Sequence, residues 1–446
     1  MTTPRKIMWT LLLCVLALSA SAITATNASL VAVQAAVDSA APGDTVNVPS
    51  GSSTWAGTLI VQKSINLIGA GTNNTFITNA AGGTLSFLIT VALTNGTAFR
   101  ISGFHFDCNW TSGGGGIDIV AKVYQPFYND VSGFRIDHCV FARCYYNYGA
   151  PANRPIQCSG RIWGVVDHCQ FADNVISIST EGCPWFPSTY PSGPNGDLDW
   201  SYMGAPYYYL GSTNNLVVED CLFNATSSMG SPGVFVLVDS RWTAHYVVRH
   251  CTISDPASKI SDCFDLHGNY DGRGAICAEI YNNNYNVSSS MWRLVHLRGG
   301  TCMVFSNTVV GASYANVEVN EEEVYETNAY HDDSPVWGPV DTNYPKHDQI
   351  TNSFFWANTL GGVGYGPNEN AGMLAVAPGW FHEGRDYWTH APSGTNILSN
   401  YTPLVYPHPL VGLQTNAVSA NAVFTVGFGG TTITATTNGN CILTTQ

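Results

Sequence analysis

Four charged residues stand at matching places in a repeated sequence unit, each directly before a glycine or a serine. They are Glu181, Asp239, His267 and Arg298. An imidazole can take up a proton near neutral pH, carboxylates can serve as acids or bases, and a guanidinium can neutralise an anion. Together these groups can catalyse proton transfer on a charged substrate, so we treat the four residues as candidate catalytic residues.

The unit that carries them recurs along the chain. Its first strand is clearest in VVRHCTI at 247–253 and EIYNNNY at 279–285, and its second strand in FDLHG at 264–268 and VHLRG at 295–299. The equivalent first-strand positions are Cys139, Cys169, Cys221, Cys251, Asn283, Asn307 and Ser353. Spacings of about 24 to 32 residues, with two longer ones, predict the coils of a solenoid that carries two large insertions.

Stacked coils would bring the candidate residues into one column. Strands of neighbouring coils lie about 4.8 Å apart, so the four side chains would follow one another along one sheet. Leu266 and Leu297 would point inward, which places His267 and Arg298 outside, and the same alternation adds Asp265 and His296 to the outer face. The structural alternative is an ion-pair ladder with no catalytic role.

The termini and the overall charge set limits on location and partners. Residues 1–22 combine basic Arg5 and Lys6 with an apolar run and a small-residue cleavage site, which predicts a signal peptide and a secreted protein, extracellular or periplasmic. The net charge of −14 argues against nucleic acid as a partner, and no later stretch is long and apolar enough for a membrane span. We expect a β-helix domain over 23–410 and a short β-rich or flexible appendage over 411–446.

The cysteines fit the same stack. Twelve remain after the signal peptide, and in an oxidising compartment they could form disulfides. Four of them share the ladder position, which favours buried free thiols stacked on one another. Cys144, Cys183 and Cys441 lie off the ladder, and their pairing stays open.

The N-terminal motifs point to a known fold. An amphipathic helix with Ser29 as its N-cap is expected over 29–42, followed by PGDTVNVPSG at 42–51 and LIVQKSINLIGAG at 59–71. This stretch resembles the start of the pectin-lyase-like right-handed parallel β-helix superfamily. The resemblance implies an all-β, right-handed parallel β-helix with an N-terminal capping helix and two large loop insertions, and many superfamily members act on polysaccharides.

The catalytic motifs of that superfamily are not carried over to this chain. The R-x-P-x-x-R pattern of pectate lyases is absent, and only Asp262, Asp265, His267 and Gly268 are similar to the middle of the polygalacturonase set. A polysaccharide is the expected partner. We expect a monomer, because solenoid ends are usually capped.

Both insertions carry candidate binding residues. The first contains aromatic side chains that either pack on the stack or form a platform for sugar rings, and the candidates are Trp185, Trp200, Tyr202 and Tyr208. The second, over 311–348, is acidic and could bind calcium, but the absence of an EF-hand or glycine-rich calcium-repeat spacing favours a solvated acidic loop. The sequence establishes no cofactor, and calcium is the one candidate.

Three functions remain open from the sequence. In a lyase, His267 would be the base for β-elimination, and Arg298, or calcium held by Asp239 and Glu181, would neutralise the uronate carboxylate. In a glycoside hydrolase, Asp239 with Asp265 or Glu181 would flank the glycosidic oxygen. A non-catalytic glycan-binding or adhesive β-helix is the third. The presence of both histidine and arginine in the column favours the lyase.

Overall fold

The structure is a computed structural model that describes most of the chain between residues 20 and 437. The described residues are 20–80, 86–110, 114–121, 129–145, 154–182, 209–226, 233–234, 236–241, 244–267, 275–288, 291–312, 315–319, 350–361, 363–365, 374–376, 382–412, 422–428 and 431–437.

Three long sheets run along the β-helix unit, and nearly all of their neighbouring strands are parallel. Sheet A contains, in order, β1 (Ala22–Thr24), β2 (Thr45–Val48), β5 (Asn66–Gly69), β8 (Arg100–Ser102), β11 (Val131–Asp137), β14 (Ile162–Asp167), β17 (Leu216–Glu219), β20 (His245–Arg249), β23 (Cys277–Tyr281), β26 (Thr301–Phe305), β29 (Ser353–Trp356) and β33 (Tyr387–Trp388). Sheet B contains β3 (Gly51–Trp55), β6 (Thr75–Asn79), β9 (His105–Asp107), β12 (Val140–Ala142), β15 (Gln170–Ala172), β18 (Leu222–Asn224), β21 (Thr252–Asp255), β24 (Asn284–Val287), β27 (Thr308–Val310), β30 (Asn358–Leu360) and β31 (Val363–Tyr365). Sheet C contains β4 (Leu59–Lys63), β7 (Ser86–Asn95), β10 (Gly114–Val120), β13 (Ile156–Ser159), β16 (Ile176–Glu181), β19 (Val236–Arg241), β22 (Asp262–Leu266), β25 (Met291–Leu297), β28 (Ala315–Val319) and β32 (Leu374–Val376).

Each coil contributes one strand to each sheet, which makes a right-handed parallel β-helix and confirms the predicted fold class. The interior is filled by like residues stacked from coil to coil. Phe106, Phe141, Phe171 and Phe223 form one such row, with ring centroids 4.9 to 5.4 Å apart. This spacing is close to the distance between neighbouring strands, so one side chain per coil fills one layer of the core.

The two ends of the stack are closed differently. At the N-terminal end, helix α1 (Leu30–Ser39) begins at Ser29, whose Oγ accepts a hydrogen bond from the Ala32 backbone N at 3.3 Å. The helix buries Val33 and Val37 against the first coil, as the predicted capping helix should. At the other end, β31 pairs with β30 in the antiparallel direction.

The cysteine ladder is confirmed, with one correction. Cys139, Cys169, Cys221 and Cys251 are free, buried and in register. The strand pairing continues this position through Asn283 and Asn307 to Asn358. The assignment of Ser353 was wrong, because Ser353 lies five residues earlier, in β29, where its Oγ accepts a hydrogen bond from Cys302 N at 3.0 Å.

The asparagine part of the ladder should be more sensitive to mutation than the cysteine part. Asn307 Nδ2 donates to Ile280 O at 2.9 Å and its Oδ1 accepts from Asn283 N at 3.1 Å, all in the core. In Asn307→Ala both backbone groups lose a partner, so we expect the free energy of unfolding to fall by roughly 2 to 4 kcal/mol. Urea unfolding measures the change. Cys221→Ala, which removes only a thiol from the same row, is the matched control, and an equal loss in both variants would refute this account.

A C-terminal segment, residues 396–412, covers the outer side of sheet A and ends in helix α2 (Pro409–Gly412). Its Leu398 and Leu404 pack in a cluster with Val165, Val217 and Val247 of the sheet. Arg249 is fully buried beneath it and binds Glu219 at 2.8 Å, Leu404 O at 2.5 Å and Val405 O at 2.8 Å. On sheet A the buried charges therefore hold the C-terminal segment in place.

Glu279 makes this attachment dependent on pH. Its carboxylate accepts hydrogen bonds from Gly211 N at 2.7 Å and Tyr401 OH at 2.5 Å, and burial raises its pKa from 4.5 to about 7 despite both bonds. Between these values the folded state keeps a proton that the unfolded state loses, so stability contributed by Glu279 falls as pH rises through this window.

We expect Glu279→Gln to remove this pH dependence. The variant should gain up to about 3 kcal/mol relative to wild type between pH 4.5 and pH 8, since one pKa unit corresponds to about 1.4 kcal/mol. Urea unfolding across this pH range tests it. A constant difference between the two proteins would show that Glu279 ionises normally.

The remaining described residues, 422–428 and 431–437, form a separate antiparallel pair, β34 (Ala422–Phe428) and β35 (Thr431–Thr437). Among the described residues no helix has the length and apolarity that crossing a membrane requires.

Candidate active site on the outer face of sheet C

Two rows of polar side chains run across sheet C, two residues apart along each strand. The strand register defines the first row as Asp118, Gln157, Ser179, Asp239, Asp265, His296 and Glu318. The second row contains Glu181, Arg241, His267 and Arg298, the last two directly after their strands end. Since side chains alternate between the faces of a strand, both rows lie on the same outer face.

This register corrects the predicted column. Asp239 does not continue from Glu181 to His267, because Glu181 pairs with Arg241 and Asp239 pairs with Asp265. Asp239 is therefore one row away from its expected place. Asp265 and His296 occupy the outer face as expected and pair directly with each other.

Asp265 lies at the centre of the site. Arg298 holds it with two hydrogen bonds, Nε to Oδ1 at 3.2 Å and Nη2 to Oδ2 at 2.6 Å. His267 Nε2 lies 4.0 Å from Oδ2 and His296 Nδ1 lies 3.9 Å from Oδ1. Burial by itself would raise the pKa of Asp265, but the positive charge and hydrogen bonds of Arg298 lower it well below its ordinary value. Asp265 is thus ionised, and it positions Arg298 through these two hydrogen bonds.

Arg241 fixes the state of His267. Its Nη2 lies 3.2 Å from His267 Nε2. A guanidinium can only donate hydrogen bonds, so Nε2 must accept and carry a lone pair. The imidazole is therefore neutral, with its proton on Nδ1. The Nε of Arg241 also lies 3.5 Å from Asp239 Oδ2.

His296 and Glu318 continue the first row. Burial lowers the pKa of His296 to about 4, so this imidazole is neutral at neutral pH. Its Nε2 lies 3.9 Å from Glu318 Oε1. Arg293 binds Glu318 through Nε at 2.5 Å and reaches Asp262 through Nη1 at 3.4 Å. One guanidinium therefore holds both carboxyls at this end of the site.

Glu181 lies in a more carboxylate-rich part of the face. Burial raises its pKa, and Asp239 adds to the increase while Arg154 and Arg241 oppose it. Asp118, whose pKa burial and Glu181 raise to about 7, belongs to the same group. The pKa values of the carboxyls on this face are thus shifted in opposite directions, upward at Glu181 and Asp118 and downward at Asp265.

Asp239, Asp265 and His267 could together hold a metal ion, since their ligand atoms lie within 4.8 Å of one another. Asp239 Oδ1 is buried and has no hydrogen-bond partner in the described part of the chain. Two oxygens and one nitrogen suit a borderline transition metal better than calcium, which prefers oxygen ligands alone. Arg241 and Arg298 already balance the two carboxylates, so calcium does not fit this site well, and Glu181 is not part of the group.

The structure thus brings five of the six predicted catalytic residues into one cluster and places Glu181 beside Arg241. The aromatic candidates Trp185, Trp200, Tyr202 and Tyr208 lie outside the described residues. Sequence reasoning missed Arg241 and Arg293. A signal for Arg241 was present: the triplets STE, DSR, DLH and HLR, which end at the four residues of the second row, align without gaps.

Comparisons with known proteins give limited information. No protein-family model and no curated protein matches the chain. Among solved structures, it is similar to Geobacillus virus E2 ORF18 (14% identity, TM-score 0.40, 66% of this chain and 58% of that chain) and to an alginate lyase from Paenibacillus sp. str. FPU-7 (14% identity, TM-score 0.43, 66% and 97%). A mannuronic acid specific polysaccharide family 6 lyase from human gut microbiota is similar over 80% of this chain and 83% of that chain (13% identity, TM-score 0.42).

This chain spans 58% of the viral protein's length. At these identities and TM-scores the likeness carries no argument about the site, and the fold rests on the strand pairing described above. Membership of the pectin-lyase-like superfamily stays a prediction from the N-terminal motifs.

Proposed function

We propose that this protein is a polysaccharide lyase that cleaves a uronic-acid-containing polysaccharide by β-elimination. The observation that carries the proposal is the second row of sheet C, where a neutral His267 lies between Arg241 and Arg298. A base with a lone pair next to two cations is the combination that elimination from a uronate requires. Export, which residues 1–22 predict, would give the enzyme access to extracellular polymers.

The reaction follows from this arrangement. His267 Nε2 takes the proton from the carbon next to the uronate carboxylate. The electron pair left behind forms a carbon–carbon double bond, the glycosidic carbon–oxygen bond on the neighbouring carbon breaks, and the leaving oxygen takes a proton from water. Negative charge builds up on the uronate carboxylate as the proton leaves, and a nearby guanidinium stabilises it.

Arg241 connects substrate binding to the base. In the free protein it donates to Nε2, the atom that must accept the substrate proton. A carboxylate forms stronger, charge-assisted hydrogen bonds with a guanidinium than a neutral imidazole does. When a uronate binds, its carboxylate therefore replaces His267 Nε2 as the hydrogen-bond acceptor of Arg241, and the lone pair of His267 becomes available. Arg298 remains held by its two hydrogen bonds to Asp265.

Arg241→Gln tests this connection. Loss of the charge-assisted contact should raise KM for a polyuronate roughly 10- to 100-fold. KM for a neutral methyl ester of the same polymer should rise much less, because an uncharged ester forms no ion pair with the guanidinium. Steady-state kinetics on both substrates measure the effect, and an equal change on both would exclude Arg241 as the carboxylate ligand.

The proposed activity itself is tested by ultraviolet absorbance of the unsaturated uronate product during incubation with a panel of uronic-acid polysaccharides. We expect the absorbance to rise with or without calcium, and to rise in the presence of a chelator, because Arg241 and Arg298 supply the positive charge. Dependence on calcium would instead assign the neutralising role to an ion at Asp239 and Asp265. An unchanged absorbance on every polymer would refute the lyase.

A glycoside hydrolase is the second candidate, because the site separates the pKa values of its carboxyls. The pKa of Glu181 is raised and that of Asp265 is lowered, as a general acid and its ionised partner would require. New reducing ends without new ultraviolet absorbance would establish it. If neither product forms and the protein still binds glycans, a non-catalytic glycan-binding protein is the remaining candidate.

A further inference from the structure

A second pair of histidines lies far from sheet C in the fold, at the corner where the chain turns from sheet A to sheet B. His138 directly follows β11 and His168 directly follows β14, and the two coils are neighbours. Both residues adopt the left-handed backbone conformation, with φ of 50° and 52°. In later coils the same corner is occupied by Asp220, His250 and Asn282.

The two imidazoles are held in the same orientation. Their rings are stacked, with centroids 5.1 Å apart and planes 4° from parallel. Each Nδ1 lies next to the carboxylate of the preceding residue, at 2.8 Å from Asp137 Oδ2 and 2.9 Å from Asp167 Oδ2. About half of each histidine side chain is exposed, 54% and 45%, whereas both carboxylates are fully buried.

Arginines keep these carboxylates in the acceptor state. Arg100 binds Asp137 with two hydrogen bonds of 2.7 Å, and Arg135 binds Asp167 with two of 2.8 Å. An ionised carboxylate can only accept, so each Nδ1 donates. The lone pair of a neutral ring is therefore on Nε2, on the side away from the buried carboxylate.

A carboxylate behind Nδ1 with a free Nε2 lone pair is the arrangement that supports metal-binding histidines in proteins, because it fixes the tautomer and makes the ligand more basic. We propose that His138 and His168 together bind one divalent transition-metal ion through their Nε2 atoms. Imidazole ligands favour copper, nickel and zinc over calcium or magnesium, and copper binds most tightly.

Binding of one ion by both rings requires the imidazoles to leave their parallel arrangement. Metal–nitrogen distances of about 2.0 to 2.1 Å require the two Nε2 atoms to approach to roughly 3 Å. The rings, which are parallel with centroids 5.1 Å apart, would reach this by tilting toward each other at their exposed edges until the two lone pairs converge on the ion. The ion would join two neighbouring coils, and water would fill its other positions. This site shares no residue with the candidate active site, so it does not depend on the proposed function.

The test is a titration of the full-length protein with Cu²⁺, followed by electron paramagnetic resonance. Variants His138→Asn and His168→Asn are suitable because asparagine tolerates a left-handed backbone and already occupies this corner as Asn282. We expect a copper signal with two nitrogen ligands in the wild type, whether or not a second ion binds at Asp239, Asp265 and His267, and affinity for this signal weaker by roughly 10-fold or more in each single variant, since one histidine cannot chelate.

Two controls separate this site from other histidines. His390→Ala removes an exposed histidine on the C-terminal side of the chain, and His267→Ala removes the nitrogen ligand of the sheet C cluster. Neither should change the two-nitrogen signal. A signal that persists in the double variant His138→Asn/His168→Asn, or that disappears in His267→Ala, would overturn the proposal.

Discussion

His267→Ala is expected to lower the rate of elimination by about 10²- to 10⁴-fold, the range that a positioned general base contributes. The lone pair on Nε2, which the hydrogen bond from Arg241 defines, is lost with the ring. The fall should appear mainly in kcat, because the arginines that would bind the uronate carboxylate remain. Initial rates of ultraviolet absorbance with saturating polymer measure it.

The control for this experiment is His390→Ala. The His390 side chain is exposed, and its Nδ1 forms a hydrogen bond with the backbone carbonyl oxygen of Ala391. This variant should retain wild-type activity. Far-ultraviolet circular dichroism should show both variants folded, since the His267 side chain is partly exposed on the outer face of sheet C and does not belong to the core. Full activity in a folded His267→Ala variant would place the base elsewhere.

Arg249→Ala is expected to have the largest effect on stability, a loss of about 3 to 5 kcal/mol in the free energy of unfolding. Removal of this fully buried guanidinium leaves the Glu219 carboxylate without its cation and frees two carbonyl groups of the C-terminal segment, those of Leu404 and Val405. Urea unfolding measures the loss. Limited proteolysis should show earlier cleavage within residues 396–412.

The matched control is Arg161→Ala, which breaks a half-exposed ion pair with Asp130 at 3.3 Å. Such pairs contribute about 0 to 1 kcal/mol, so this variant should be nearly as stable as the wild type. Similar stability in both arginine variants would mean that the C-terminal segment is held by its apolar contacts alone.

The fold was predictable because its signals are local. A short helix with a serine cap, the strand motifs after it, and one cysteine or asparagine per coil are each visible within a few residues, and the coil length repeats them. These features are enough to predict a stack of parallel strands and a row of free thiols, and the structure confirms both.

The register of the site was less predictable. Asp239, His267 and Arg298 were aligned by counting from the ladder position, but the turn between the two strands differs in length from coil to coil. Counting from the ladder position therefore assigned Asp239 to the second row, although it lies in the first. It also overlooked Arg241, which lies two residues further on and belongs to the second row. Only the hydrogen bonds between strands fix which residues are neighbours, and a shift of two residues keeps the same face while it changes the row.

The C-terminal segment could not be predicted at all. Arg249 contacts backbone atoms 155 and 156 residues away, and nothing in the local sequence of either partner indicates the other. The segment turns the outer face of sheet A into a second, small core, so its charges stabilise structure. On sheet C the second-row histidine and arginines remain partly exposed, which leaves that face for chemistry.

The reversed strand at the end of sheet B has a consequence for assembly. The last strands of a parallel stack have unpaired backbone groups, with which the strands of another molecule could pair to form a fibre. Helix α1 covers one end, and at the other end the antiparallel β31 presents a strand that runs in the opposite direction to all those before it. Growth in the parallel register is therefore disfavoured at this end of sheet B, whereas β32 and β33 still end sheets C and A in the parallel direction.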